Sequence, residues 1–95
     1  MMEFEVKHEL SETKGAYFIS MNGKRIAEMT YSVAGADRII IDHTEVNDDF
    51  RGYGLGEKMV RRAVEDARSR GISIVPLCPF ARSVFNKNED LRDVL

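Results

Sequence analysis

Ninety-five residues make a single domain, 1–95, with room for one modest core. Fourteen basic and sixteen acidic residues leave a net charge of −2, which gives no electrostatic reason to expect nucleic acid or an anionic membrane as a partner. No apolar run approaches the ~20 residues of a bilayer span. The opening Met1-Met2-Glu3-Phe4-Glu5 lacks the basic and apolar regions of a signal peptide, and the single cysteine, Cys78, cannot form an intrachain disulfide. These features predict a cytoplasmic protein with a reduced thiol.

The first half reads as strands joined by tight turns. Phe4 to Glu9 fits an edge strand, followed by a polar stretch around Ser11-Glu12-Thr13-Lys14-Gly15. Tyr17 to Met21 runs into Asn22-Gly23, a strong hairpin-turn signal. In the returning strand, Arg25 to Val33, alternation sets Ile26, Glu28, Thr30 and Ser32 on one face. It sets Ala27, Met29, Tyr31 and Val33 on the other, which is expected to meet the core. After the turn Ala34-Gly35-Ala36-Asp37, the segment Arg38 to Val46 carries Ile39-Ile40-Ile41, the mark of a central strand covered on both faces.

The second half has helical spacing. Leu55, Met59, Val60, Ala63, Val64 and Ala67 form one apolar stripe, and Gly71 suits the position just past the helix. Ile72 to Leu77 is a short β-branched strand, expected to lie parallel to Arg38–Val46 because a helix connects them. Pro79 ends it, Phe80 to Lys87 reads as a second short helix, and the tail reads as a further helical turn or a frayed end. The expectation is an α+β fold with a mainly antiparallel sheet and a parallel pair at its centre.

Between strand and first helix lies Arg51-Gly52-Tyr53-Gly54-Leu55-Gly56. A glycine-dense turn lets several backbone N–H groups point one way, and a helix N-terminus behind it favours an anion such as phosphate or pyrophosphate. The same turn also serves as a plain connector in many proteins, so the residues alone leave both readings open. A Walker loop is excluded, because Gly-x-x-x-x-Gly-Lys-(Ser/Thr) is absent. One cysteine and two dispersed histidines give no metal-ligand spacing.

The run 51–56 matches the (Gln/Arg)-x-x-Gly-x-(Gly/Ala) motif of the GNAT acetyltransferases. It is preceded by Asp42-His43-Thr44-Glu45-Val46 and followed, after the helix, by Leu77-Cys78-Pro79-Phe80-Ala81. Together these segments resemble a small bacterial branch of GNAT-like N-acetyltransferases of about this length. The resemblance implies a compact GNAT-like fold whose parallel central pair splays to admit an acyl-CoA, with one main helix and a short C-terminal one. It implies acetyl-CoA as the cofactor. Arg51, Gly52, Tyr53, Gly54, Leu55, Gly56 and Glu57 would hold the pyrophosphate, and Thr44, Glu45 and Val46 would hold the pantetheine arm through their main chains. Lys58 and Arg82 are further candidate contacts to CoA phosphates.

Many members of that family protonate the departing thiolate with a Tyr in Asn-x-x-Ala-x-x-x-Tyr. Aligned on Ala81, the pattern puts Cys78 at the Asn position and Phe85, which has no hydroxyl, at the Tyr position. Cys78 is the nearest candidate to fill the gap as acid or nucleophile, against the alternative of a small buried hydrophobe. His43 is the candidate base for an ammonium acceptor, with Glu45 or a water chain as competitors. His8 is expected at the ordinary surface. The implied activity is acetyl transfer to an amine of unknown identity, with an acyl-CoA-binding module of little catalysis as the alternative. The short chain predicts an open acceptor cleft that suits a protein or peptide amine or needs a second subunit to complete it, in a monomer or weak homodimer.

Overall fold

The computed structural model describes residues 4–95. Residues 1–3, which open the segment read above for a leader, lie outside the described residues. Five strands form one sheet in chain order: β1 (Lys7–Ser11), β2 (Lys14–Met21), β3 (Lys24–Val33), β4 (Arg38–Val46) and β5 (Ser73–Pro76). The first four are antiparallel neighbours and β5 runs parallel to β4. Helix α1 (Leu55–Arg70) makes the crossover, and α2 (Pro79–Lys87) follows β5. Among the described residues no helix is long and apolar enough to cross a membrane.

The turn chemistry explains where the strands begin. Asn22 and Gly23 both adopt positive φ, 52° and 78°, which suits a type I′ two-residue hairpin. The polar stretch around Ser11 to Gly15 holds a second two-residue hairpin. Only Glu12 and Thr13 lie between the paired Ser11 and Lys14, and Glu12 itself takes φ 56°. Strand β1 therefore starts three residues later than Phe4 and runs to Ser11.

Helix α1 buries the expected stripe, with Met59, Val60, Ala63 and Val64 fully enclosed against Tyr17, Ile19, Met29, Ile41 and Ile74 of the sheet. Gly71, at φ 67°, closes it. The tail is a 3-10 segment, Glu89–Val94, anchored by buried Leu91 and Val94 and by Arg68, which pairs with Asp93 at 2.7 Å.

Two β-bulges revise the faces. One skips Ile26, because Ile19 pairs with Ala27 and Ser20 with Arg25. Ile26, assigned above to the polar face, is buried instead. The other skips Asp42, because Tyr31 pairs with Ile41 and Thr30 with His43. His8 is likewise not an ordinary surface residue. Its ring stacks on Tyr17 at 4.3 Å and its Nε2 hydrogen-bonds the Tyr31 hydroxyl. Burial lowers its pKa most; Asp66 opposes that shift, and Arg70 and Arg62 add to it.

Candidate active site

The parallel pairing of β4 with β5 ends at Ile41 and Pro76. There the Ile41 carbonyl accepts from both Leu77 and Cys78 N–H at 3.1 Å, and the chain turns away into α2. Beyond Ile41, β4 continues to Val46 with no partner on that side among the described residues. Glu45 pairs with Glu28, and Asn47 N–H donates to the Ile26 carbonyl at 2.8 Å. By strand alternation the main-chain groups of Thr44 and Val46 therefore face the gap. This is the splayed edge that the resemblance implies.

The Asp42 bulge decides which side chains accompany it. Unbroken alternation from Ile39 and Ile41 would carry His43 and Glu45 to the helix-covered face. The extra residue shifts the pleat, so Thr44 and Val46 take that face and line a cavity of about 520 Å³. His43 and Glu45 lie on the opposite, open face, with His43 Nε2 3.9 Å from the Glu45 carboxylate and both side chains largely exposed. The two catalytic candidates are thus not brought together in one cleft.

The cavity runs from Thr44 and Val46 past Arg51, Gly52, Gly54, Leu55, Gly56 and Glu57. Gly52 and Gly54 hold φ of 89° and 72°, a region that costs an L side chain roughly 1–2 kcal/mol. Gly54 is the N-cap of α1, and no side chain among the described residues caps the helix. The first-turn N–H groups have no intrahelical partner. Gly56 is constrained differently: a Cβ there would overlap the Phe80 ring. Arg51 pairs with Asp48 at 2.8 Å, and Glu57 with Arg61 at 3.0 Å.

Two of the residues expected to hold the cofactor through their main chains turn their side chains elsewhere. Glu45 is on the outer face, and Tyr53, half-exposed, packs against Phe4 (5.4 Å) and Phe50. Lys58 and Arg82 do not line the cavity; the Arg82 guanidinium reaches back to the Leu77 carbonyl. Sequence reasoning missed Phe50 and one face of α2, namely Phe80, Ser83, Val84 and Lys87. The i, i+3, i+4, i+7 spacing of those four was the available signal.

Cys78 sits at the N-cap of α2, 4% exposed, behind the cavity wall. Its Sγ lies 3.4 Å from Thr44 Oγ1, so its contact with the cavity is through that hydroxyl. Burial pushes the thiol pKa up, but the Thr44 hydroxyl and the N–H groups of Ala81, Phe80 and Thr44 outweigh it, and the thiol titrates below its ordinary value. No capping hydrogen bond of ordinary geometry forms there; the helix amides act as oriented partial charge. Phe85 is buried in the core, 1% exposed.

A splayed parallel pair with a glycine turn at the mouth of its crossover helix is the GNAT-like architecture that the resemblance implies. The chain belongs to the GCN5-related N-acetyl-transferase family, whose model matches residues 16–94. Among curated proteins no sequence matches it. The chain is similar to a GCN5-like protein of Staphylococcus aureus, at 34% identity and TM-score 0.73 over 99% of this chain and 89% of that one. It shares its fold with a ribosomal-protein-alanine N-acetyltransferase of Brucella melitensis biovar Abortus (20% identity, TM-score 0.67, 81% of this chain and 62% of that one). A GNAT family acetyltransferase of Elizabethkingia anophelis with acetyl-CoA bound also shares it (15% identity, TM-score 0.58, 67% and 42%). The chain thus spans less than two thirds of these last two proteins.

Proposed function

We propose that the cavity binds acetyl-CoA and that the protein transfers the acetyl group to an amine. The observation that carries this reading is one continuous cavity joining the bare N-terminus of α1 to the unpaired edge of β4 at Thr44 and Val46. The acetyl-CoA-bound relative lends support through its fold. The N–H groups of Gly52 to Gly56 would take the pyrophosphate, aided by the helix dipole. The main-chain groups of Thr44 and Val46 would take the amides of the pantetheine arm as a neighbouring strand would.

Acetyl-CoA supplies an activated thioester; the chain must supply a proton for the departing sulfur. Thr44 Oγ1 is the hydroxyl on the β4 wall of the cavity and Cys78 stands behind it, whereas the Ser83 hydroxyl donates to the Phe80 carbonyl. In this reading Thr44 donates its proton to the leaving sulfur, Cys78 S–H replaces it, and the Cys78 thiol is restored by the second proton that the attacking nitrogen sheds as the amide forms. That route suits a thiol 4% exposed better than direct attack on the carbonyl does. His43, beside Glu45 on the outer face, accepts the acceptor's ammonium proton if the amine approaches through the splay from that side.

Thermal unfolding with and without acetyl-CoA tests binding. A ligand at 100 times its dissociation constant adds about 2.7 kcal/mol, several degrees for a chain of this size; no shift would remove the proposal. Thiol release with a panel of amines tests transfer. Cys78→Ala is expected to abolish turnover and keep binding, and Cys78→Ala with full activity would make the thiol structural. Binding without release for any amine would leave an acyl-CoA-binding module.

A further inference from the structure

We infer that Lys87 is the specificity residue for the donor, binding the 3′-phosphate of CoA so that the site distinguishes CoA from its 3′-dephosphorylated form. The inference rests on the reading of the cavity as an acyl-CoA site. Three charged side chains line that cavity: Arg51, Glu57 and Lys87. Arg51 is held by Asp48 and Glu57 by Arg61. Lys87 has no ion pair and no side-chain hydrogen bond among the described residues, although it ends an ordered helix.

Its place along the cavity fixes what it can touch. Cys78 precedes α2 and marks the Thr44 end, and Phe80 packs on Gly56 at the glycine turn. Ser83 and Val84 follow one turn later and Lys87 two turns later, about 10 Å beyond Phe80 at 1.5 Å per residue. Helices α1 and α2 run side by side in the same sense, since Gly56 meets Phe80 and Arg61 Nη2 reaches Asn88 Oδ1 at 3.0 Å. A donor with its thioester at Thr44 and its pyrophosphate on Gly52–Gly56 therefore leaves its nucleoside end toward Lys87. The turn's N–H groups are used by the pyrophosphate. A separate phosphate monoester there needs a full cation, and a flexible ammonium is a common one for phosphate.

Isothermal titration of the whole chain with CoA and with dephospho-CoA tests this in the wild type, Lys87→Ala, Lys87→Arg and, as a control at the start of β3 outside the cavity lining, Lys24→Ala. The wild type and Lys24→Ala are expected to bind CoA about fivefold tighter than dephospho-CoA. Lys87→Ala should lose that preference by weakening CoA alone, and Lys87→Arg should keep it. The preference should also shrink as salt screens it. Equal wild-type affinity for the two ligands, or a Lys87→Ala loss shared by both, would overturn the assignment and leave the cavity reading standing. A wild type that binds neither would overturn the cavity reading and this inference with it.

Discussion

At Gly54 the backbone sits at φ 72° and ψ 25° with open space around its Cα, whereas at Gly56 the backbone is ordinary helix and the space is taken by Phe80. One motif therefore needs glycine for two reasons. Gly54→Ala should cost roughly 1–2 kcal/mol of stability from left-handed strain, read by urea denaturation. Gly56→Ala should instead push the Phe80 ring out of place in a cavity that both residues line, weakening acetyl-CoA binding. Adding Phe80→Ala should recover most of that binding, and titration of the single and double variants decides it. The contact of Thr44 with Cys78 has its own signature. The Thr44 hydroxyl helps hold the thiol below its ordinary pKa, so Thr44→Val should raise it. Thiolate absorbance against pH reads this cleanly in a chain with one cysteine; an unchanged titration would mean that the hydroxyl does not act on the sulfur.

Strand β2 and helix α1 are tied by a hydrogen bond from the Tyr17 hydroxyl to Asp66 Oδ2 at 2.7 Å, while Arg62 reaches across to the Val6 carbonyl at 2.8 Å. Tyr17→Phe keeps the ring and removes the donor, so it should cost about 1–2 kcal/mol, measured as a lower urea midpoint with unchanged slope. Elements of this kind were largely legible in the sequence. The α1 stripe, the Asn22-Gly23 turn and the bounds of β4 follow from periodicity and turn chemistry that need no tertiary partner. The Asp42 bulge was not legible, because nothing in Ile41-Asp42-His43-Thr44 marks which residue will be skipped. Cross-strand register with β3 decides that, and with it whether His43 or Thr44 faces the cavity. The α2 face escaped for another reason: apolar spacing such as that of Phe80 and Val84 does not reveal that a cavity lies alongside.

Taken as one molecule, the sheet places its two histidines in opposite settings: His43 exposed on the open face, His8 packed between Tyr17, Tyr31 and α1. His8 ties β1, an edge strand, to the covered face, and the groups around it are Asp66, Arg62 and Arg70 of α1 with Glu9 of its own strand. Burial, reinforced by the two arginines and only partly opposed by the carboxylates, lowers its folded-state pKa below 6.5. The unfolded chain then binds more protons than the folded one as pH falls through the unfolded value, so stability is fullest above about 6.5 and declines below it. The melting temperature should accordingly fall between pH 7.5 and pH 5.5. His8→Phe keeps an aromatic ring against Tyr17 and cannot be protonated, so its melting temperature should change less over the same interval. A wild-type and a variant curve of equal slope would place the acid sensitivity elsewhere. Because β1 lies three strands from the cavity-lining β4, acetyl-CoA affinity measured where both forms remain folded should be unaffected by the substitution.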